Sequence, residues 1–287
     1  MDKKSLKIGF IGAGLMGYGM ALNLIKQKLD LTIVAHKNRV PIDKLIQKGA
    51  KEVERIEELA KKCNIIILCV KNTPIATEII DKIAPFLQKK STIIDITTHN
   101  STGSIDIYNK LKKIEIIYAE SPVMGGPQQS EEGVLGAIVG CEQIHFNNVK
   151  DILTNFCKDV FYFGSVGMGA KAKLVNNFLS LGTTTFVIES IKAAQILGID
   201  LKKFCDVAKL GSGNSGALNR IADKAIKNDY KGYIFTVNNT FKDMTYINEL
   251  LKNIPNAEKL SSLTKSFYKE AKNKGYGELL ISELIKK

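Results

Sequence analysis

The 287-residue sequence has no tryptophan, six prolines and three histidines. Scarce proline leaves long stretches free to be helical, because proline lacks the backbone N–H and breaks a helix interior. His36, His99 and His145 stand at no metal-binding spacing, so no metal site is expected. Cys63, Cys69, Cys141, Cys157 and Cys205 are odd in number and form no CxxC pair. Several fall in apolar runs, the pattern of buried free thiols in a reducing compartment. No apolar run approaches the roughly 20 residues of a membrane span, so no membrane partner is expected. The start, Lys3-Lys4 followed by a short strand pattern and glycines, does not read as a signal peptide. The cytoplasm is the expected location.

Charge is present but unclustered. Lys and Arg number 41 against 29 Asp and Glu, a net charge of +12, yet no run of five like charges occurs. A nucleic-acid partner is therefore not expected, and the excess reads as a solvated lysine-rich surface. The same balance favours an anionic substrate and cofactor.

With 45% hydrophobic and 24% charged residues, the chain has the composition and length for two globular domains. Short apolar runs at 6–11, 31–35, 65–70, 92–96, 114–118, 137–139 and 160–163 read as strands. Helical patterns at 16–27, 42–48, 56–62, 74–87 and 101–112 lie between them. Such alternation predicts βαβ units and a doubly wound parallel sheet of Rossmann type. Beyond Gly169 only helices are expected, at 170–197, 201–210, 217–227, 236–253 and 258–274, with Gly198 placed as a C-terminal cap. The expected fold is thus an α/β domain, 1–163, followed by an all-α domain, 164–287. A long interdomain helix joins them.

Directly after the first strand comes Gly12-Ala13-Gly14-Leu15-Met16-Gly17, opening a helix. A lone GxGxxG is weak, but strand-before and helix-after is the context that gives it meaning. Gly12 permits the tight turn, Gly14 lets backbone approach a pyrophosphate, and Gly17 permits close helix–strand packing. The helix N-terminus offers free N–H groups and a positive dipole end to the phosphates. NAD enzymes commonly end the second strand with a carboxylate for the ribose 2′-hydroxyl. Here His36-Lys37-Asn38-Arg39 offers none, and Lys37 and Arg39 suit a 2′-phosphate. NADP is favoured over NAD, unless both cations simply lie on a solvated loop.

From this point the sequence resembles the β-hydroxyacid dehydrogenases, the family of 3-hydroxyisobutyrate dehydrogenase and its short-chain semialdehyde and glyoxylate reductase relatives. The resemblance covers nearly the whole chain in order. Residues 12–24, GAGLMGYGMALNL, match the opening fingerprint, including Ala21, Asn23 and Leu24. Asp95-Ile96-Thr97-Thr98 stands for the D-x-S-T segment, and Ser121-Pro122-Val123-Met124-Gly125-Gly126-Pro127 for the substrate loop, usually P-V-S-G-G. Gly164-Ser165-Val166-Gly167-Met168-Gly169 leads to Lys173-Leu174-Val175-Asn176-Asn177, similar to the catalytic K-x-x-N-N. Phe241-Lys242-Asp243-Met244 resembles the late K-D-L element, and Gly275-Tyr276-Gly277-Glu278 the G-x-G-D ending. Against near relatives, a 6-phosphogluconate dehydrogenase would carry His at Asn176, and imine reductases usually lack the lysine.

The chemistry agrees. Hydride transfer to a carbonyl needs a proton delivered to its oxygen, and alcohol oxidation needs that proton removed. A lysine does either when burial or nearby positive charge lowers its pKa. The resemblance assigns that role to Lys173. Asn177, one helical turn on, shares its face and could bond the reacting oxygen or the ammonium group. Gly125 and Gly126 could aim N–H groups at a substrate carboxylate, with Lys242 adding charge there or contacting the nicotinamide. Val70, Lys71, Thr98 and Lys242 complete the cofactor set that the resemblance implies. Met124 departs from the usual Ser, removing one hydroxyl donor and leaving an apolar, adaptable wall. The expected activity is an NAD(P)-dependent dehydrogenase or reductase of a small anionic hydroxy acid or aldehyde. Lys173, Asn177, Met124, Gly125, Gly126 and Lys242 would contact the substrate. A homodimer or homotetramer is expected, from a long helix in a small helical domain. The alternative is a dinucleotide-binding regulatory or interaction protein without turnover.

Overall fold

Apolar runs with no polar alternation form strands buried on both faces, and Ile65–Leu68, IIIL, is buried at every position. The computed structural model describes residues 6–287; the Lys3-Lys4 start lies outside them. The first half runs β1 (Lys7–Ile11), α1 (Gly17–Lys26), β2 (Asp30–Val34), α2 (Val40–Gln47), β3 (Lys51–Val53), α3 (Ile56–Lys62), β4 (Ile65–Leu68) and α4 (Thr73–Ile83). It continues through β5 (Thr92–Asp95), α5 (Gly103–Lys112), β6 (Ile117–Glu120), β7 (Val123–Met124), α6 (Pro127–Glu132), β8 (Leu135–Gly140), α7 (Phe146–Leu153) and β9 (Cys157–Gly164). Then follow only helices: α8 (Met168–Ile196), α9 (Leu201–Leu210), α10 (Gly216–Ala225), α11 (Val237–Leu250) and α12 (Pro255–Asn273).

Among the described residues nine strands form one sheet in the order β3-β2-β1-β4-β5-β6-β8-β7, with β9 paired to β8. Strands β3 through β6 are mutually parallel, the Rossmann arrangement expected from the alternation. The sheet is not parallel throughout: β8 runs antiparallel to β6 and β7. One core on each sheet face holds it, the first around Phe10, Met20 and Phe156, the second around Leu59, Ile66 and Tyr118. Each such fully buried side chain contributes about 1.5–3 kcal/mol. The chain divides into two compact units, one ending at Lys173 and one spanning Leu174–Lys287. The second has its own core, with Leu181, Ile188, Met244 and Tyr268 fully or almost fully buried.

One local expectation needs correction, and two elements appear where none was expected. The apolar run at 114–118 is not wholly strand: Ile114 and Glu115 turn the chain out of α5, with Glu115 at φ 61°, and the strand begins at Ile117. Segment 51–53 is a strand although its sequence, KEV, is too charged and short to show it. Residues 127–132, for which no element was expected, form α6, with Pro127 at the first turn where its missing N–H costs nothing. The cysteines are unpaired, four of them buried.

Candidate functional site

The first unit carries most of the expected site at the carboxyl ends of its parallel strands, where ligands bind in open α/β sheets. After β1, Gly12 has φ +101°, and a Cβ there would come within 2.1 Å of the Cys69 carbonyl oxygen. A Cβ at Gly17 would come within 2.1 Å of the Gly12 oxygen. These two glycines are required by the turn itself. Gly14 differs: nothing lies within 4 Å of a Cβ built there, so the protein's own packing does not demand glycine. Helix α1 begins with no side-chain cap and no acid in its first turn. An open approach at Gly14 beside an uncapped helix N-terminus fits the pyrophosphate of a dinucleotide. Ala13 is buried while Leu15 is exposed and Met16 half-buried beside it.

Past β2, His36, Lys37, Asn38 and Arg39 are all exposed. Arg39 is not idle: its guanidinium binds both carboxylate oxygens of Glu52 on β3, at 2.9 and 3.1 Å, and Asp43 at 2.9 Å. The Asn38 side chain accepts from the Val40 N–H.

At the ends of β4 and β5 the expected residues are knitted together. The Val70 N–H donates to Thr97 Oγ1 at 3.3 Å, and Val70 also flanks Gly12. Lys71 is exposed and Thr98 half-buried. Beneath them Asp95, fully buried, accepts from the Thr97 N–H at 3.0 Å, faces His99 Nε2 at 2.8 Å and accepts from the Tyr118 hydroxyl at 3.2 Å. With the Nε2 proton directed at Asp95, His99 Nδ1 accepts from the Thr73 hydroxyl at 3.2 Å. Thr73 Oγ1 in turn accepts from the Asn100 N–H. Burial drives the Tyr118 hydroxyl strongly upward in pKa, so it stays a donor.

The segment expected to form the substrate loop follows β6. Lys173 Nζ donates to the Val123 main-chain oxygen at 2.7 Å. Met124 pairs with Gly136, and a Cβ at Gly136 would come within 3.0 Å of the Met124 methyl. Gly125 has φ +120°. One expected donor is engaged: the Gly126 N–H donates to Gln129 Oε1 at 2.9 Å. Asn23, from the opening fingerprint, donates to the oxygens of Gly19 and Ser130, while the Ser130 hydroxyl donates to the Met16 oxygen at 2.6 Å. The cofactor-turn helix α1 and the post-loop helix α6 are thereby fixed to each other.

In the second unit the Asn177 amide donates to Asp243 Oδ2 at 2.8 Å, and Lys242 Nζ pairs with Asp243 Oδ1 at 2.8 Å. The structure thus gathers Asn177 and Lys242 on one buried carboxylate. Sequence reasoning missed Asp243 as their common partner, Asn23 as a tie between helices, and Glu120, whose carboxylate is fully buried beside the substrate loop. For Asp243 the signal was available, since an acid directly after an expected site lysine invites an ion pair. Nothing in the sequence pointed to main-chain partners such as the Val123 oxygen.

Two family models match the chain. Residues 7–164 match the NAD binding domain of 6-phosphogluconate dehydrogenase, and residues 167–287 the NAD-binding domain of NADP-dependent 3-hydroxyisobutyrate dehydrogenase. The chain belongs to the 3-hydroxyisobutyrate dehydrogenase family of NAD(P)-dependent hydroxyacid dehydrogenases. Among its relatives, the chloroplastic glyoxylate/succinic semialdehyde reductase 2 of Arabidopsis thaliana is 27% identical over 284 residues, covering 98% of this chain and 79% of the relative. The mitochondrial 3-hydroxyisobutyrate dehydrogenase of Drosophila melanogaster is 30% identical over 211 residues, covering 73% and 65%. The crystal structure of a 3-hydroxyisobutyrate dehydrogenase from Salmonella typhimurium superposes with TM-score 0.90 at 22% identity, covering 98% and 99%. Among the described residues no helix is long and apolar enough to cross a membrane.

Proposed function

We propose that this protein is an NADP-preferring oxidoreductase that interconverts a short β-hydroxy acid and its semialdehyde, or a comparably small 2-oxo acid aldehyde such as glyoxylate. The observation that carries the reading is the 2.7 Å hydrogen bond from Lys173 to the Val123 oxygen, which sets the amine against the main chain of the substrate loop. A nicotinamide dinucleotide held by these residues would supply or accept the hydride. Lys173 handles the proton: its ammonium gives one to the carbonyl oxygen in reduction, and its amine takes one from the hydroxyl in oxidation. Gly12 to Gly17, with Val70, Lys71 and Thr98, hold the dinucleotide, while Lys37 and Arg39 select the 2′-phosphate. Arg39 already meets two carboxylates, so the phosphate competes with Asp43 and Glu52 for it.

Met124, Gly125 and Gly126 form the substrate wall, where a substrate carboxylate replaces the Gln129 oxygen on the Gly126 N–H. Roles toward substrate and cofactor are also proposed for Asn177 and Lys242, both of which Asp243 holds. Residues 1–163 serve as the nucleotide-binding domain and 164–287 as the substrate and oligomerisation domain. Val175, Leu179 and Phe186 on α8 are 51%, 71% and 70% exposed and share a stripe with Gly182 at coiled-coil spacing. That stripe supports a homodimer or homotetramer, in a protein of the cytoplasm.

The test is oxidation of NADPH and of NADH with glyoxylate, succinic semialdehyde, methylmalonate semialdehyde and tartronate semialdehyde. The reading expects turnover with at least one, faster per micromolar NADPH than NADH. Cofactor binding with no turnover on any of them would contradict it.

A further inference from the structure

The first turn of α8 is capped from far away. Helix starts leave N–H groups without intrahelical partners, usually met by a Ser, Thr, Asp or Asn beside them. At this start the residue is Gly167, at φ +98°, which has no side chain to offer. Its place is taken by Glu120 at the end of β6. Glu120 Oε1 accepts from the Gly167 N–H at 2.7 Å and from the Ala170 N–H at 3.1 Å, 47 and 50 residues along the chain.

The surroundings are shaped for this carboxylate. A Cβ at Gly140 would come within 2.3 Å of Glu120 Oε1, and one at Gly169 within 3.0 Å. Glycine at both positions lets the acid reach the helix. Glu120 is 0% exposed, and burying a carboxylate is costly compared with an ordinary exposed cap. A local side-chain cap is barred at position 167, where φ is +98° and a Cβ would come within 2.8 Å of Ile105 Cδ1. A local cap would in any case not tie the helix start to β6.

That tie has a second strand. Lys173 lies about one turn beyond Ala170 and bonds the Val123 oxygen, three residues beyond Glu120. The same short stretch of chain, 120–123, therefore grips α8 twice, once by its backbone and once by the Lys173 amine. The span from Val123 is itself fixed, since Val123 and Met124 pair with Ala137 and Gly136 on β8.

We infer that Glu120 is a positioning residue that fixes the Lys173 amine against the substrate loop by anchoring the first turn of α8. The inference rests on the proposed acid–base role of Lys173 for its kinetic consequence, though not for its structural one. Glu120 touches no reacting atom. Its contribution is the rigidity of the frame in which the amine sits, which matters because misplacement by about 1 Å costs about 100-fold in rate.

The experiment compares the full-length wild type with Glu120→Gln, Glu120→Met and Lys173→Ala. Gln keeps an oxygen acceptor at the same reach, whereas Met keeps the length and fills the space without one. Two readouts are taken: kcat and KM with NADPH and the best aldehyde, and labelling of Lys173 by acetic anhydride. Labelling is quantified by mass spectrometry against exposed Lys48. The Met variant should lose at least tenfold in kcat, keep KM for NADPH within twofold, and label Lys173 at least threefold faster. Gln should restore both readouts to within threefold of wild type. A Met variant that does not fold is replaced by Glu120→Asp, which withdraws the acceptor by about one bond length and should change both readouts in the same direction.

Unchanged Lys173 labelling in a folded Met or Asp variant would overturn the inference, as would a Gln variant as impaired as Met. If Lys173→Ala retains the wild-type rate, the acid–base role fails and the catalytic half of the inference with it. Altered labelling in that case marks the failure as one of the role and not of the tether.

Discussion

Asp243 joins two residues that the sequence had marked separately: its Oδ2 accepts from the Asn177 amide at 2.8 Å while its Oδ1 pairs with Lys242 at 2.8 Å. The carboxylate is only 2% exposed, so the two side chains are oriented by one buried group and not by solvent. A buried acid with one charge-assisted hydrogen bond and one ion pair is a strong positional constraint.

Replacing Asp243 with Ala should therefore act on both partners together. Removing one member of a buried pair leaves the other poorly solvated, at a cost on the order of 3 kcal/mol. The expected outcome is a stability loss of that order in urea denaturation. A drop in kcat/KM of at least tenfold should accompany it. Asp243→Asn, which keeps an acceptor for Asn177 but loses the charge facing Lys242, should lie between Ala and wild type in both measurements.

The glycines of the first turn should separate fold from cofactor binding. Gly12→Ala places a Cβ at positive φ and against the Cys69 oxygen, so thermal unfolding should shift down by several degrees. Gly14→Ala places a Cβ with no protein atom within 4 Å and should leave the unfolding temperature within about 2 °C. It fills the approach to the pyrophosphate, so the Kd for NADPH, followed by nicotinamide fluorescence, should rise at least tenfold.

Much of this was legible beforehand. The alternation of strands and helices gave the Rossmann half, because a parallel strand covered on both sides is an unbroken apolar run such as IIIL at Ile65–Leu68. The helix expected at 201–210 has those bounds in the structure, where Asp200 caps its start, accepting from the Lys203 N–H, and Gly211 ends it. Segments 51–53 and 123–124 escaped, since strands of two or three residues carry too little pattern and are made by their neighbours. The reversal of β8 was equally hidden: direction is a tertiary property, and LGAIVG reads the same either way. In the site, residue types were legible and partners were not. Lys173 was visible as a candidate base, but its Val123 partner is a carbonyl that every residue possesses.

The proposed preference for NADP rests on the loop after β2. The double variant Lys37→Ala/Arg39→Ala should raise the Kd for NADPH at least tenfold and change that for NADH less than threefold. Arg39 is held by Glu52 and Asp43, whose hydrogen bonds raise its pKa. Glu52→Gln should therefore free it and tighten NADPH by about two- to fivefold, with no gain for NADH. Titration of each protein with both cofactors measures this directly.

Glu120 should leave a mark on the pH dependence of stability. Burial pushes its pKa above the ordinary 4.5, against the lowering pull of the Ala170 and Gly167 N–H groups. A folded state with the raised pKa binds more protons than the unfolded chain, so its stabilisation is complete below about pH 4.5 and is lost as pH rises through the folded value. Relative to Glu120→Gln, the wild type should lose stability as pH rises above about 4.5. Melting curves at unit pH intervals should show that slope.

The most direct test of the central claim is single-turnover reduction of the best aldehyde by Lys173→Ala with NADPH already bound. Catalysis by a positioned acid is worth about 100- to 10,000-fold, so the hydride-transfer rate should fall by that factor while the Kd for NADPH stays within twofold. A rate equal to wild type with cofactor bound would remove Lys173 from the chemistry and contradict the account.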